Sequence, residues 1–310
     1  MRGFPLLLLF ATTLAHGESP RSCNRVHAYV SVLTPHDQIV SGLSAANFSA
    51  ELNGKPAQVE SCLRDPLRHR IAILVDHSGS MGGLRWHIAR EAVLTLLSRL
   101  PSQIPVELIS FDTDILRLVF FDTARPQAIE TAKQFFSGVP PKSRTRLYDA
   151  IHAALATLQP FRPGDVLYLI TDGSDNVSRE DDGKVQKELL QSRTRVFLTL
   201  LTQPDWNYTN NDEDLGAKNL VQITQQTGGL SQTVAARELI EADLGQREKE
   251  ALLQTTFWMM QNMIEDYDLT LVSSQPLSGK AKLKLRATMP QGADEKLKVI
   301  APSSIMTTCP

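Results

Sequence analysis

Five consecutive apolar residues, Ile71-Ala-Ile-Leu-Val75, run into Asp76, and a helical stripe opens a few residues later. An unbroken apolar run this short is what a strand buried on both faces requires. The stripe is Leu84, Ile88, Ala92, Leu96 and Leu100, widened by Ala89, Val93 and Leu97 and closed by Pro101. That spacing makes one broad apolar helical face. The alternation then repeats. Val106–Ser110 and Leu116–Phe121 read as strands, and residues near 124–137 and 147–158 as helices. Val166–Ile170 and Val196–Leu200 are again buried-type strands, with a polar helix near 180–193 between them. A helix near 215–227 stops at Gly228-Gly229, and Leu230–Thr233 offers a last short strand. A chain of this pattern predicts an α/β fold, a doubly wound and mostly parallel sheet with helices on both faces.

Outside residues 69–265 the pattern is β-like. Arg25–Leu33, Phe48–Leu52 and Gln58–Leu63 read as strands, and Asn53-Gly54 is a strong hairpin signal between the last two. Beyond a long helix at about 236–265, Asp268–Val272, Lys280–Ala287 and Lys296–Ile300 alternate again. The simplest architecture pairs residues 18–68 with 266–310 as one small β domain beside the α/β core.

Residues 1–17 read as a signal peptide: Arg2, a largely apolar Phe4–Ala15, then Ala15-His16-Gly17 with cleavage after Gly17. The apolar run is short for a membrane anchor and no later stretch reaches a transmembrane length. The expected location is therefore secreted, periplasmic or extracellular, with no membrane span. Export permits a disulfide, but Cys23, Cys62 and Cys309 make three, so one thiol stays unpaired or pairs between chains. The sequence does not choose among the pairings. No Cys-x-x-Cys or His cluster points to zinc or redox chemistry. A formal net charge of −2 with no Lys/Arg cluster argues against a nucleic-acid partner.

Ligands of a doubly wound sheet sit beyond the carboxyl ends of its strands. Three polar clusters fall there. Asp76-His-Ser78-Gly-Ser80-Met-Gly-Gly83 follows the first core strand, Thr171-Asp172-Gly-Ser-Asp-Asn176 follows Val166–Ile170, and Arg144-Thr145-Arg146 opens a helix between them. These are hard oxygen ligands, suited to Mg²⁺ and also to Mn²⁺ or Ca²⁺. The glycines at 79, 82 and 83 relieve crowding where the loop turns into the helix. Asp76 and Ser78 also suit a bland role as helix caps, Thr145 suits a helix start, and Thr171-Asp172-Gly173 suits a turn. Two carboxylates leave such an ion under-neutralised, so an anionic oxygen from a partner is the expected further ligand.

Asp76, Ser78, Ser80, Thr145 and Asp172, in that order, resemble the von Willebrand factor type A (VWA) family and its metal-ion-dependent adhesion site. Ile73-Leu-Val-Asp76, Leu147-Tyr-Asp-Ala-Ile151, Ile170-Thr-Asp-Gly173 and Thr227-Gly-Gly229 extend the resemblance over about residues 70–265. It implies a VWA/Rossmann-like fold, with Ser78, Ser80 and Thr145 as direct metal ligands. Asp76 and Asp172 would hold the ion directly or through water. Val40-x-Gly42-Leu43, Asn47-Phe48 and Asn53-Gly-Lys-Pro56, with Tyr267 opening the C-terminal strands, resemble secreted bacterial VWA-related proteins. Three positions depart from the family pattern. His77 replaces a small or apolar residue, and Arg144 and Arg146 flank Thr145 as solvated loop residues or as a rim that draws acidic partners. Asp112 and Asp114, after another strand, either support the metal ligands from behind or form a hairpin turn, and the turn is the favoured reading.

The function expected is protein binding or cell adhesion through the metal, by an acidic side chain of the partner, and not enzymatic. A structural envelope scaffold whose metal is only structural is the alternative. A hydrolase using Ser78 or Asp76 ranks lower, because Gly-x-Ser-x-Gly, Asp-x-Asp-x-Thr and the phosphate-binding Gly-x-x-x-x-Gly-Lys are all missing from the sequence. Asn47, Asn176 and Asn207 begin glycosylation sequons that matter only in a eukaryotic source.

Overall fold

A computed structural model describes residues 23–202, 211–235, 246–290 and 296–307. The leader at 1–17, Cys309 and Asn207 lie outside the described residues. The core begins with β4 (Ile71–Asp76), α1 (Leu84–Arg99), β5 (Val106–Phe111), β6 (Ile115–Val119), α2 (Arg125–Ser137) and α3 (Leu147–Thr157). It continues with β7 (Val166–Thr171), α4 (Asp182–Ser192), β8 (Arg195–Thr202), α5 (Asn211–Thr227), β9 (Ser231–Ala235) and α6 (Gln246–Ile264). Of the long helix expected at 236–265, residues 236–245 fall outside the described ones.

Among the described residues these strands form a six-stranded sheet in the order β6-β5-β4-β7-β8-β9. Strand β4 is central and pairs in parallel with both β5 and β7, Ile71 facing Val106 and Val166. Strands β8 and β9 continue the parallel set, and only β6 at the edge is antiparallel. Successive strand side chains point to opposite faces. Ile71, Ile73 and Val75 accordingly join residues of α1, α2 and α6 in one core, while Ala72 and Leu74 join α3, α4 and α5 in the other. Both faces of β4 are therefore dry, which is why its sequence does not alternate. Each fully buried Ile or Leu contributes about 1.5–3 kcal/mol.

The flanking strands are β1 (Cys23–Leu33), β2 (Phe48–Leu52), β3 (Lys55–Leu63), β10 (Tyr267–Leu277), β11 (Gly279–Ala287), β12 (Lys298–Ile300) and β13 (Ser304–Thr307). They build a second, antiparallel sheet in the order β12-β1-β10-β3-β2-β11-β13. C-terminal strand β10 lies between N-terminal strands β1 and β3, so the two ends of the chain share one sheet, as expected. Asn53 and Gly54 take φ of 52° and 77°, the pair of positive angles that a two-residue hairpin turn needs. The sheet curls round its own core, which brings Val26 and Val30 of β1 together with Leu283 of β11 and Ile305 of β13. The buried Tyr267 hydroxyl donates to Val40 O at 2.9 Å and accepts from Leu43 N at 3.3 Å, fixing the 40–43 segment. Cys62 is a free thiol held near Leu43 O, and burial pushes it up to about 11.

The two sheets meet at a buried ionic cluster. The Arg195 guanidinium, at the start of β8, donates to Asp266 Oδ2 (3.0 Å), Ser31 Oγ (2.9 Å) and Gly228 O (2.9 Å). Arg68 reaches Asp266 Oδ1 at 2.7 Å, and His69 Nε2 lies 3.2 Å from the same oxygen. Burial alone would raise the Asp266 carboxyl. The His69 imidazole and the Arg195 and Arg68 charges outweigh it and bring the group down to about 2.

Candidate metal centre

Strand order reverses at β4: the chain moves from β4 outward to β5 on one side and later returns to β7 on the other. The adjacent carboxyl ends of β4 and β7 therefore open a crevice at the point where doubly wound sheets bind ligands. Asp76 is the last residue of β4, and Asp172 follows the last residue of β7. Both are buried. Asp76 Oδ1 accepts from Ser78 N at 2.9 Å and Oδ2 from the Thr171 hydroxyl at 2.6 Å. Asp172 Oδ1 accepts from Ser174 N at 3.1 Å and Oδ2 from Arg85 Nη1 at 2.7 Å.

Between β4 and α1 the chain makes one tight turn at Gly79–Met81, with Met81 buried as its anchor in the core. Gly83 precedes α1 with φ 68° and ψ −132°, a conformation that a Cβ would strain. Because Gly83 occupies the position just before α1, neither Asp76 nor Ser78 caps that helix; Ser78 instead precedes the short turn at Gly79–Met81, without a side-chain cap bond. The turn presents Ser78 Oγ and Ser80 Oγ 3.1 Å apart, with Ser78 buried and Ser80 open to solvent.

Hydrogen bonds stitch the three loops together. Gly79 N donates to Ser143 O at 2.8 Å, an approach so close that a Cβ on Gly79 would lie 3.2 Å from Lys142 O. Thr145 is buried. Its N–H donates to Asn176 Oδ1 at 2.9 Å, and its carbonyl accepts from Asn176 N and Val177 N, both at 3.1 Å. The first amides of α3 are satisfied across the gap: Leu147 N by Asp175 Oδ1, and Tyr148 N and Asp149 N by Ser178 Oγ. Asp76, Ser78, Ser80, Thr145 and Asp172 thus lie on three bonded loops at one end of the sheet.

The donor set fits a hard divalent cation. Cis ligands of an octahedral Mg²⁺, each at about 2.1 Å, stand about 3.0 Å apart, close to the separation of the two serine hydroxyls. Burial, then the neighbouring Asp172 carboxylate, pushes Asp76 up to about 7, the effect of two carboxylates held together without enough positive charge. No group of three His, Cys, Asp or Glu side chains able to hold a metal occurs among the described residues, so any ion here needs the hydroxyls.

Residues 71–174, from the start of β4 to just beyond Asp172, match the family model of the von Willebrand factor type A domain. Residues 71–174 are thus similar to a von Willebrand factor type A domain. Inter-alpha-trypsin inhibitor heavy chain H4 of Sus scrofa is 27% identical over 130 residues, which are 39% of this chain and 14% of that one. Heavy chain H3 of Homo sapiens is 25% identical over 131 residues, 38% of this chain and 14% of that one. The match therefore spans about one seventh of the length of these relatives. A von Willebrand factor type A structure from Catenulispora acidiphila aligns over 92% of this chain and 74% of its own, with TM-score 0.50 and 10% identity, a likeness of fold alone.

The two arginines beside Thr145 are not equivalent. Arg146 pairs with Asp149 Oδ2 at 2.7 Å and also donates to Thr113 O. Arg144 is exposed and donates to Asn176 O at 3.0 Å. Arg146 is thus committed to the loop framework, and Arg144 is the one that remains at the rim. His77 packs against Trp86 and Phe135, at 4.9 and 5.2 Å between ring centroids, and its Nε2 lies 2.9 Å from Val139 O. Asp112 and Asp114 close a turn through Asp114 N to Asp112 Oδ1 at 2.8 Å, the hairpin role expected. Arg85 was not among the sequence candidates. Its signal is a charge at the 85, 89, 92, 96 spacing of an apolar helical stripe.

Proposed function

We propose that this VWA domain binds one divalent cation, Mg²⁺ by preference and Mn²⁺ or Ca²⁺ as substitutes, and through it an acidic side chain of a protein ligand. The reading places the protein outside the cytoplasm as a secreted adhesion or interaction module that makes no covalent change. The observation that carries it is the convergence of two buried carboxylates and three hydroxyl residues on adjoining loops at the switch point of the sheet. Ser78, Ser80 and Thr145 would hold the ion directly. Asp76 and Asp172, whose oxygens already accept hydrogen bonds, would neutralise it from behind. A bound cation supplies a Lewis-acidic position for a carboxylate oxygen from outside. Exposed Ser80 marks the open side, and Arg144 adds positive charge at the rim.

A serine-hydrolase reading has no histidine facing Ser78 among the described residues. The Ser78 hydroxyl lies between Ser80 Oγ and the Asp76 carboxylate, and the adjacent imidazole of His77 turns toward Val139 O instead. The test of the binding reading is capture of a ligand from the protein's native surface in Mg²⁺ and in EDTA, with Asp76→Ala in parallel. Capture in Mg²⁺ that disappears with EDTA and with the folded variant supports it. Equal capture in all three arms contradicts it and favours a scaffold.

A further inference from the structure

Arg85 brings a full positive charge into the ring of candidate metal ligands. It is the second residue of α1 and only 3% exposed. One nitrogen, Nη1, donates both to Asp172 Oδ2 at 2.7 Å and to Ser80 O at 3.0 Å. Two features of this placement oppose ordinary stability. A cation in the first turn of a helix faces the positive end of the helix dipole. A guanidinium taken out of water costs several kcal/mol unless a partner offsets it. The Asp172 carboxylate is such a partner, and it is the group that a metal would also draw on.

We propose that Arg85 is a built-in counter-cation that positions Ser80 and Asp172, weakens the site's hold on a divalent ion, and makes occupancy depend on an anionic ligand. The inference rests on the metal reading given above. Arg85 places a guanidinium on Asp172, one of the two candidate carboxylates, and a divalent ion would add two further positive charges beside it. The ion therefore meets an Asp172 carboxylate already engaged by a cation, and the added positive charge is relieved by a carboxylate from outside. Ion and carboxylate then strengthen each other's binding by the same factor. A purely structural arginine makes the opposite prediction, since removing it would loosen Ser80 and Asp172 and weaken the metal.

Calorimetric titration of Mg²⁺ into the full metal-stripped chain separates these outcomes, with wild type, Arg85→Gln and Arg85→Lys compared and folding checked by circular dichroism. Glutamine keeps a donor but not the charge, and tightens Mg²⁺ on the order of tenfold. Lysine keeps the charge and does not tighten it. A second arm needs no variant: acetate, as a probe carboxylate against chloride at equal ionic strength, tightens Mg²⁺ binding several-fold in wild type. Weaker or unchanged Mg²⁺ binding in Arg85→Gln, or equal tightening by lysine, overturns the counter-cation role. Indifference of wild type to acetate overturns the dependence on an anion. A wild type that takes up no Mg²⁺ in either salt removes the metal reading itself, a result distinct from any failure of the variants.

Discussion

At Asp76 and Asp172 two carboxylates share a dry crevice, and each is held by donors that suit its charged form. Without a cation the pair is repulsive, so the site works against the fold that houses it. Asp76→Asn removes one charge while leaving an oxygen for Ser78 N. In metal-free buffer near pH 8 this variant is expected to melt no lower than wild type and to gain about 1 kcal/mol. Its melting temperature should also stop responding to Mg²⁺. A thermal scan with and without Mg²⁺ checks both, and a variant that melts lower yet keeps the Mg²⁺ response contradicts the assignment. The five candidate ligands were legible from sequence because each lies directly beyond a strand or at a helix start. Arg85 was not, because its partners Asp172 and Ser80 O come together only when β7 is laid beside β4.

The elements were legible wherever burial pattern and local chemistry agreed. The unbroken apolar run of β4, the stripe of α1 and the Asn53-Gly54 turn each state their structure within a few residues. Strand β13 did not, because its four residues pair with β11 only across the curled sheet. The turn into α1 is set by Gly83, whose backbone angles exclude other residues. Gly83→Ala is expected to cost about 1–3 kcal/mol in urea denaturation. It should also weaken Mg²⁺ binding, because Ser80 and Arg85 stand on either side of the hinge. Full stability in Gly83→Ala would mean that the turn is less constrained than its angles indicate.

For the whole molecule, the decisive junction is the Arg195–Asp266 cluster, where the parallel sheet meets the shared β sheet. Its partners are spread from Ser31 to Asp266, so no local pattern could have announced it. The folded Asp266 carboxyl titrates near 2, below its unfolded value of about 3.9. The stability it contributes is present above pH 4 and is lost as pH falls toward 2. Asp266→Asn leaves Arg195 buried with less charge compensation and should cost about 3–5 kcal/mol at neutral pH while flattening the acid limb of the stability curve. Chemical denaturation at several pH values reads both effects. Residues 69–265 expressed alone lack Asp266 and Ser31, and are expected to melt well below the full chain.

Fold and junction serve to hold three oxygen-bearing loops at the end of β4 and β7, and the central claim is that they hold a metal. Calorimetric titration of Mg²⁺ into the metal-stripped full chain, beside Asp76→Asn, tests it most directly. The account predicts about one equivalent of Mg²⁺ bound by wild type and no measurable binding by the variant. No binding by wild type, or undiminished binding by Asp76→Asn, would contradict it.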